Sequence, residues 1–174
     1  MKINNFSQEL IDVKITNGVF FEDERGSLKK SIHTNKINEL MGSVSEVLCT
    51  RSYQNVIRGL HYQKKPTEIS KFLTCVQGKI LDVFVDIRKE SKHYGKFGSQ
   101  ILTENDNKAI FIPKGFAHGF STLSKSSTVV YLQSGDYDPI TDAAINPLSL
   151  NIDWMVNNPI VSSKDFNAIK FEDL

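Results

Sequence analysis

The sequence predicts a mainly β protein, an antiparallel sandwich or barrel of the jelly-roll kind with a few short helices, and three observations carry that expectation. The 174 residues include 17 Ile and 12 Val against only 5 Ala, an excess of β-branched side chains that favours strands over helices. Apolar residues alternate with period two along several short runs. Turn-forming residues separate those runs at close spacing, the pattern of an all-β sandwich or barrel. Five scattered prolines mark no linker, so residues 1–174 are expected to form one domain.

In chain order, Ile37, Leu40 and Met41 sit at i, i+3 and i+4 and predict a helix over Thr34–Met41, with Gly42 as its stop. Val56–Gln63 reads as a strand, followed by Lys71–Val76. Gln77-Gly78-Lys79 looks like a hairpin connection into the clearest strand, Ile80–Ile87. There Leu81, Val83, Val85 and Ile87 share one face, while Asp82 and Asp86 share the other with Ile80 and Phe84, as in a half-buried strand. Ala109–Ile112 and Gly115–Phe120 follow, broken by Pro113-Lys114, and then Thr128–Gln133. After Pro139 the pattern weakens, and the tail is expected to cover the barrel as short helices and loops.

A formal charge of +1 offers no basic excess for a phosphate backbone and weakens a nucleic-acid reading. No apolar run reaches the roughly 18 residues of a membrane helix, and the first residues lack a signal-peptide pattern, so the cytoplasm is the expected compartment. In that reducing compartment Cys49 and Cys75 read as buried small hydrophobes. Phosphate-loop, dinucleotide-binding and serine-hydrolase motifs are absent.

Among four histidines, His33 and His93 have polar neighbours and read as surface residues. His61 and His118 lie inside alternating strands, flanked by Gly59 and Gly119. Glycine within a strand forfeits packing, and a frequent reason is close approach of a ligand or another backbone. Taken singly, each histidine still reads as a satisfied core residue. Metal binding is disfavoured, because Gln63 and Phe120 occupy the positions two residues after them, short of the three or four ligands a zinc site needs. What remains is a set of proton-transfer groups and cations on separated segments: Arg58, His61, Lys71, His118, Tyr131 and Lys164-Asp165.

Four motifs carry a resemblance from about Gly18 to Asp165. Arg58-Gly59-Leu60-His61-Tyr62-Gln63, the run from Gly78 to Arg88, the run from Ile112 to Phe120, and Ser162-Ser163-Lys164-Asp165 together resemble the nucleotide-sugar 3,5-epimerases. The resemblance implies a cupin-like jelly roll working as a homodimer without metal or cofactor. Its substrate would be a nucleoside-diphospho-4-keto-6-deoxy sugar, inverted at carbons beside the ketone. By that resemblance His61 matches the base, Asp165 its carboxylate partner, and Tyr131 the acid on the opposite face. Lys71, with His118 near it, matches the group at the 4-keto oxygen, and Arg58 a diphosphate contact. Arg25 matches a nucleotide contact from a neighbouring subunit, Tyr137 an aromatic that stacks on base or sugar, and Lys164 a further substrate contact.

Those roles are chemically coherent. A proton α to a ketone becomes removable only when the developing enolate is stabilised, so a cation must be fixed at the oxygen. An imidazole with a pKa of about 6.5 suits the base, and a tyrosine hydroxyl near 10 stays protonated at neutral pH.

The sequence departs from the family at recognition positions. Glu46 and Leu48 replace amide side chains, Lys30 falls where an acid is usual, and Asp142 stands in place of a longer Glu. An ammonium in place of a carboxylate reverses both charge and hydrogen-bonding role. These changes spare the proton-transfer groups and raise the expectation of altered specificity, such as a GDP- or CDP-linked sugar, or inversion at one centre only. The competing readings are a 3,4-ketoisomerase on a similar barrel and a non-catalytic sugar-nucleotide binding protein.

Overall fold

Period-two alternation becomes thirteen strands in the computed structural model, which describes residues 12–31 and 34–174. In chain order these are β1 (Lys14–Asn17), β2 (Val19–Asp23), β3 (Gly26–Lys30), β4 (Glu46–Tyr53), β5 (Val56–Gln63), β6 (Lys71–Gln77), β7 (Lys79–Asp86) and β8 (Phe97–Thr103). They continue with β9 (Lys108–Ile112), β10 (Phe116–Thr122), β11 (Ser126–Gln133), β12 (Asp142–Ala144) and β13 (Ile160–Val161). Helix α1 (Thr34–Met41) precedes β4, and the short α2 (Ser163–Phe166) follows β13.

Two sheets face each other. One runs β1-β9-β6-β11-β4, the other β12-β5-β10-β7-β8 with β13 added to β5. Every pairing in them is antiparallel except β13 with β5. Leu73, Ile110 and Val129 from the first sheet meet Ile80, Phe84 and Phe120 from the second, all essentially without solvent exposure. Each such side chain is worth roughly 1.5–3 kcal/mol when fully buried. This is the expected jelly roll.

The expected Gln77-Gly78-Lys79 hairpin is instead a corner, because β6 and β7 lie in opposite sheets. Gly78 makes the turn at φ +76°, and a Cβ there would lie 2.1 Å from the Ser126 carbonyl oxygen. Only glycine fits so close a backbone approach.

The β7 strand is also not half-buried. Every residue of it after Lys79 is buried, since the tail supplies Ile145 and Trp154 to cover Leu81, Val83 and Val85. On the other face Ile80 and Phe84 enter the inter-sheet core, and Asp82 and Asp86 are fully buried beside them. Ile87 falls beyond the strand's end.

Helix α1 keeps its expected bounds and lays Leu40 and Met41 on Phe72, Ala109 and Phe111, covering the outer face of the first sheet. Gly42 ends it at φ +78°. Cys75 is buried as expected, whereas Cys49, on the edge strand β4, is exposed. His93 is half-buried rather than a surface residue, enclosed by the loop between β7 and β8. His33 lies outside the described residues.

Candidate active site

Between the sheets a cavity of about 780 Å3 opens, walled by both. Strand β5 contributes Arg58 and His61, and β10 pairs with it so that His118 sits opposite His61. From the facing sheet β6 contributes Lys71 and β11 contributes Tyr131. Glu46, Tyr137, Asp142 and Lys164 complete the wall.

The strand glycines now have a reason. Gly59 adopts φ +114°, and a Cβ on it would lie 2.6 Å from both Gly119 Cα and the His118 carbonyl oxygen. Of the two possible causes of strand glycine, the approach of another backbone applies here. The register of β10 on β5 shifts between His118 and Phe120 at this point.

Asp165 reaches the site from the tail. Ser162 caps α2 by accepting from the Asp165 amide at 3.1 Å, a bond that suits a helix N-terminus. The carboxylate Oδ1 then meets His61 Nε2 at 2.7 Å, while Oδ2 accepts from the Gly59 amide at 3.3 Å. Burial alone would raise this carboxyl, but the bonds from His61, Gly59 and Ser162 outweigh it and hold Asp165 below the usual carboxylate range. Asp165 thus stays ionised and fixes one imidazole nitrogen; a neutral ring that donates to it from Nε2 has Nδ1 as its acceptor.

Loss of solvation pulls Lys71 down to about 8, against the opposing pull of Asp82 and Asp142. Its ammonium donates to the His61 carbonyl oxygen at 3.2 Å, tying one sheet to the other. Burial pushes the Tyr131 hydroxyl up, so it remains a proton donor. That ring stands edge-on to His118 with centroids 6.1 Å apart. Arg58 is held by Ser52 Oγ at 2.8 Å and the Arg51 carbonyl oxygen at 3.2 Å.

At the rim, Lys164 donates to Asp142 Oδ2 at 2.6 Å, and the Tyr137 hydroxyl donates to the same oxygen at 3.3 Å. Glu46 accepts from Gln133 Nε2 at 2.9 Å and from the Tyr137 amide at 3.3 Å.

Arg25 and Lys30 are not brought to this cavity. Both lie on the β2–β3 pair, which forms a separate two-stranded sheet. The Arg25 side chain is 84% exposed and folds back onto Asp23. Sequence reasoning missed the Asp82 carboxylate behind His118, although a carboxylate on the same face as Ile80 and Phe84 was a signal, since a buried charge needs a partner. Its partner is His118, Nε2 to Oδ2 at 2.7 Å. Among the described residues no group of three or more His, Cys, Asp or Glu is arranged to hold a metal ion.

Residues 7–173 match the pattern of the dTDP-4-dehydrorhamnose 3,5-epimerase family. A dTDP-4-dehydrorhamnose 3,5-epimerase of Shigella flexneri is 38% identical over 176 residues, covering 98% of this chain and 97% of that protein. A dTDP-4-dehydrorhamnose 3-epimerase of Streptomyces niveus is 34% identical over 152 residues, covering 84% and 73%. The crystal structure of a dTDP-6-deoxy-D-glucose-3,5-epimerase from Legionella pneumophila, in complex with dTDP-4-keto-L-rhamnose, superposes with a TM-score of 0.88. It is 32% identical, over 97% of this chain and 92% of that one.

Proposed function

The chain belongs to the dTDP-4-dehydrorhamnose 3,5-epimerase family, and from that premise we propose how its pocket performs the reaction. The protein is an isomerase of nucleotide sugars, epimerising a nucleoside-diphospho-4-keto-6-deoxy sugar at C3, C5 or both. His61 Nδ1 removes the proton beside the ketone while Asp165 holds Nε2–H and stabilises the imidazolium that forms. Lys71, with His118 beside it, stands at the ketone oxygen and stabilises the enolate. Tyr131 returns a proton from the facing sheet, and inversion follows because donor and acceptor approach opposite faces of the sugar ring. A raised phenol suits this step, because an enolate carbon is a far stronger base than a phenolate. Arg58 and Lys164 contact the diphosphate, and Tyr137, 56% exposed at the rim, stacks on the base or sugar.

The observation that carries this reading is the placement of the His61–Asp165 pair on one sheet's wall and Tyr131 on the other's. Incubation with a dTDP-linked 4-keto-6-deoxy sugar in D2O, followed by NMR, tests it. Deuterium is expected at C3 or C5 with the ketone still at C4; a ketone moved to C3, or no exchange, defeats the reading. Tyr131→Phe is expected to keep deuterium uptake while losing inverted product.

Glu46 and Asp142 give the rim an acceptor-rich character that bears on the base. Isothermal titration with dTDP, GDP and CDP ranks the three, and clearly tightest binding of dTDP defeats an altered base specificity.

A homodimer is part of the proposal. The β2–β3 pair, a sheet of its own, exposes Phe21 and Leu28 and carries Arg25 and Lys30, so a second copy of the chain is where those cations would find a pocket. We take residues 1–174 as one domain, in keeping with the family match over 7–173. Among the described residues no helix is long and apolar enough to cross a membrane. The cytoplasm is the proposed compartment, nucleotide-activated sugars being metabolites of the cell interior.

A further inference from the structure

Asp82 is a buried carboxyl for which the mechanism above has no use. It sits in the middle of β7 with no solvent exposure. One oxygen meets His118 Nε2 at 2.7 Å; the other, Oδ1, has no hydrogen-bond partner among the described residues. A purely structural polar residue at such a position is normally satisfied at both oxygens, since an unpaired buried acceptor forfeits its hydration. Something else must balance this group.

The groups around it identify what does. His118 faces it from β10, and Lys71 from β6 in the opposite sheet. His61 on β5, Tyr131 on β11 and Asp142 on β12 surround the same cavity, with Arg58 turned toward Ser52 and Arg51. Lys71 is the ammonium whose charge reaches Asp82. It also needs a counter-charge of its own, because its only hydrogen bond among the described residues goes to a neutral carbonyl.

We propose that Asp82 is a positioning residue for the epimerisation: it supplies the counter-charge of Lys71 and fixes His118 as a neutral Nε2–H imidazole, leaving Nδ1 as an acceptor. The proposal rests on the epimerase reading, in which Lys71 serves the ketone oxygen. With Asp82 ionised, Lys71 protonated and His118 neutral, the trio carries no net charge, the cheapest state for a site removed from water. Burial drives the Asp82 carboxyl up, and His118 and Lys71 pull against it to favour the ionised form; burial and the nearby Lys71 charge also disfavour the His118 imidazolium, and Asp82 opposes the desolvation that weakens the Lys71 ammonium. The enolate oxygen therefore meets one cationic donor, Lys71, while His118 Nδ1 is free to receive a sugar hydroxyl.

Two measurements test it. In the wild type the alkaline limb of log kcat is expected near pH 8, where Lys71 loses its proton. Asp82→Asn keeps the hydrogen-bonding shape and removes the charge, so the limb is expected to move down by about one pH unit with KM little changed. A limb that stays in place while kcat falls equally at every pH would mean that Asp82 is only structural, and overturns the proposal. The second measurement needs neither the variant nor turnover. Nitrogen-15 NMR of the wild-type His118 ring at neutral pH is expected to show a protonated Nε2 and a pyridine-like Nδ1; an imidazolium, or the opposite tautomer, overturns the assignment. Absence of wild-type activity on 4-keto sugars would instead defeat the epimerase reading, so the two failures are distinguishable.

Discussion

The histidines of two histidine–aspartate pairs stand on neighbouring strands of one sheet, each joined to its carboxylate by the same contact, Nε2 to oxygen at 2.7 Å, and the pairs behave in opposite ways. In the rim pair the His61 side chain is 39% exposed and Asp165 is drawn below the usual carboxylate range. In the inner pair His118 and Asp82 are both buried, and burial drives Asp82 up and His118 down. The difference lies in what else each carboxylate touches. Asp165 is bonded through both oxygens and anchors a capped helical turn, whereas among the described residues Asp82 has one bonded oxygen and feels the Lys71 charge. On the proposed mechanism, the same side-chain pair serves as a proton-exchanging device where solvent and substrate reach it, and as a fixed charge arrangement where they do not.

The strongest way to break that comparison is to remove the rim base. His61→Ala is expected to lower kcat by roughly 10²–10⁴-fold and to abolish deuterium wash-in at C3 and C5. Full epimerisation by that variant would sink the mechanism and leave the two pairs indistinguishable.

A smaller effect is expected from Asp165→Asn, which leaves a partner for His61 but no charge to stabilise the imidazolium. A loss of about 10²-fold in kcat is anticipated. This variant also tests the depressed carboxyl through stability. A group whose value is lowered by folding stabilises the protein above its unfolded value, and that contribution disappears as pH falls through the folded one. Denaturant unfolding should therefore separate wild type from Asp165→Asn at neutral pH and bring them together in strong acid. A gap that persists undiminished at low pH would assign the effect to packing instead.

The smallest effect concerns the tether of the rim pair. Lys164 binds Asp142 across the pocket mouth, but its side chain is 65% exposed, so Lys164→Ala should cost no more than about 1 kcal/mol of unfolding free energy. A larger loss would mean that this bridge, rather than the Ser162 cap, holds α2 and Asp165 in place.

Much of this site could be read from the chain. His61, Lys71, His118 and Tyr131 stood out as proton-transfer groups or cations on separated strands, and all four line the cavity. The bounds of α1 and the β5 strand follow directly from apolar spacing. Asp82 was visible as a carboxylate on an apolar face, yet its importance was not, because alternation assigns a face without saying whether that face is covered. The facing sheet decides the matter, because Leu73, Ile110 and Val129 close over the face that Asp82 shares with Ile80 and Phe84. Arg25 and Lys30 were legible only as members of a motif, and the β2–β3 hairpin that carries them, Arg25 in its turn and Lys30 on β3, joins neither main sheet.

The sequence by itself determined six of the strands, a glycine turn after β6 and the chemical types available for catalysis, because these depend on neighbours a few positions apart: side-chain alternation, turn residues, intrinsic acidity. Only the tertiary structure decided that β6 and β7 diverge into facing sheets, that Asp165 closes on His61, and that Asp82 lies out of reach of water. Those are relations between distant segments, and a carboxylate's state depends on which donors and how much solvent surround it. That surrounding exists only once the sheets have closed and the tail has covered one of them.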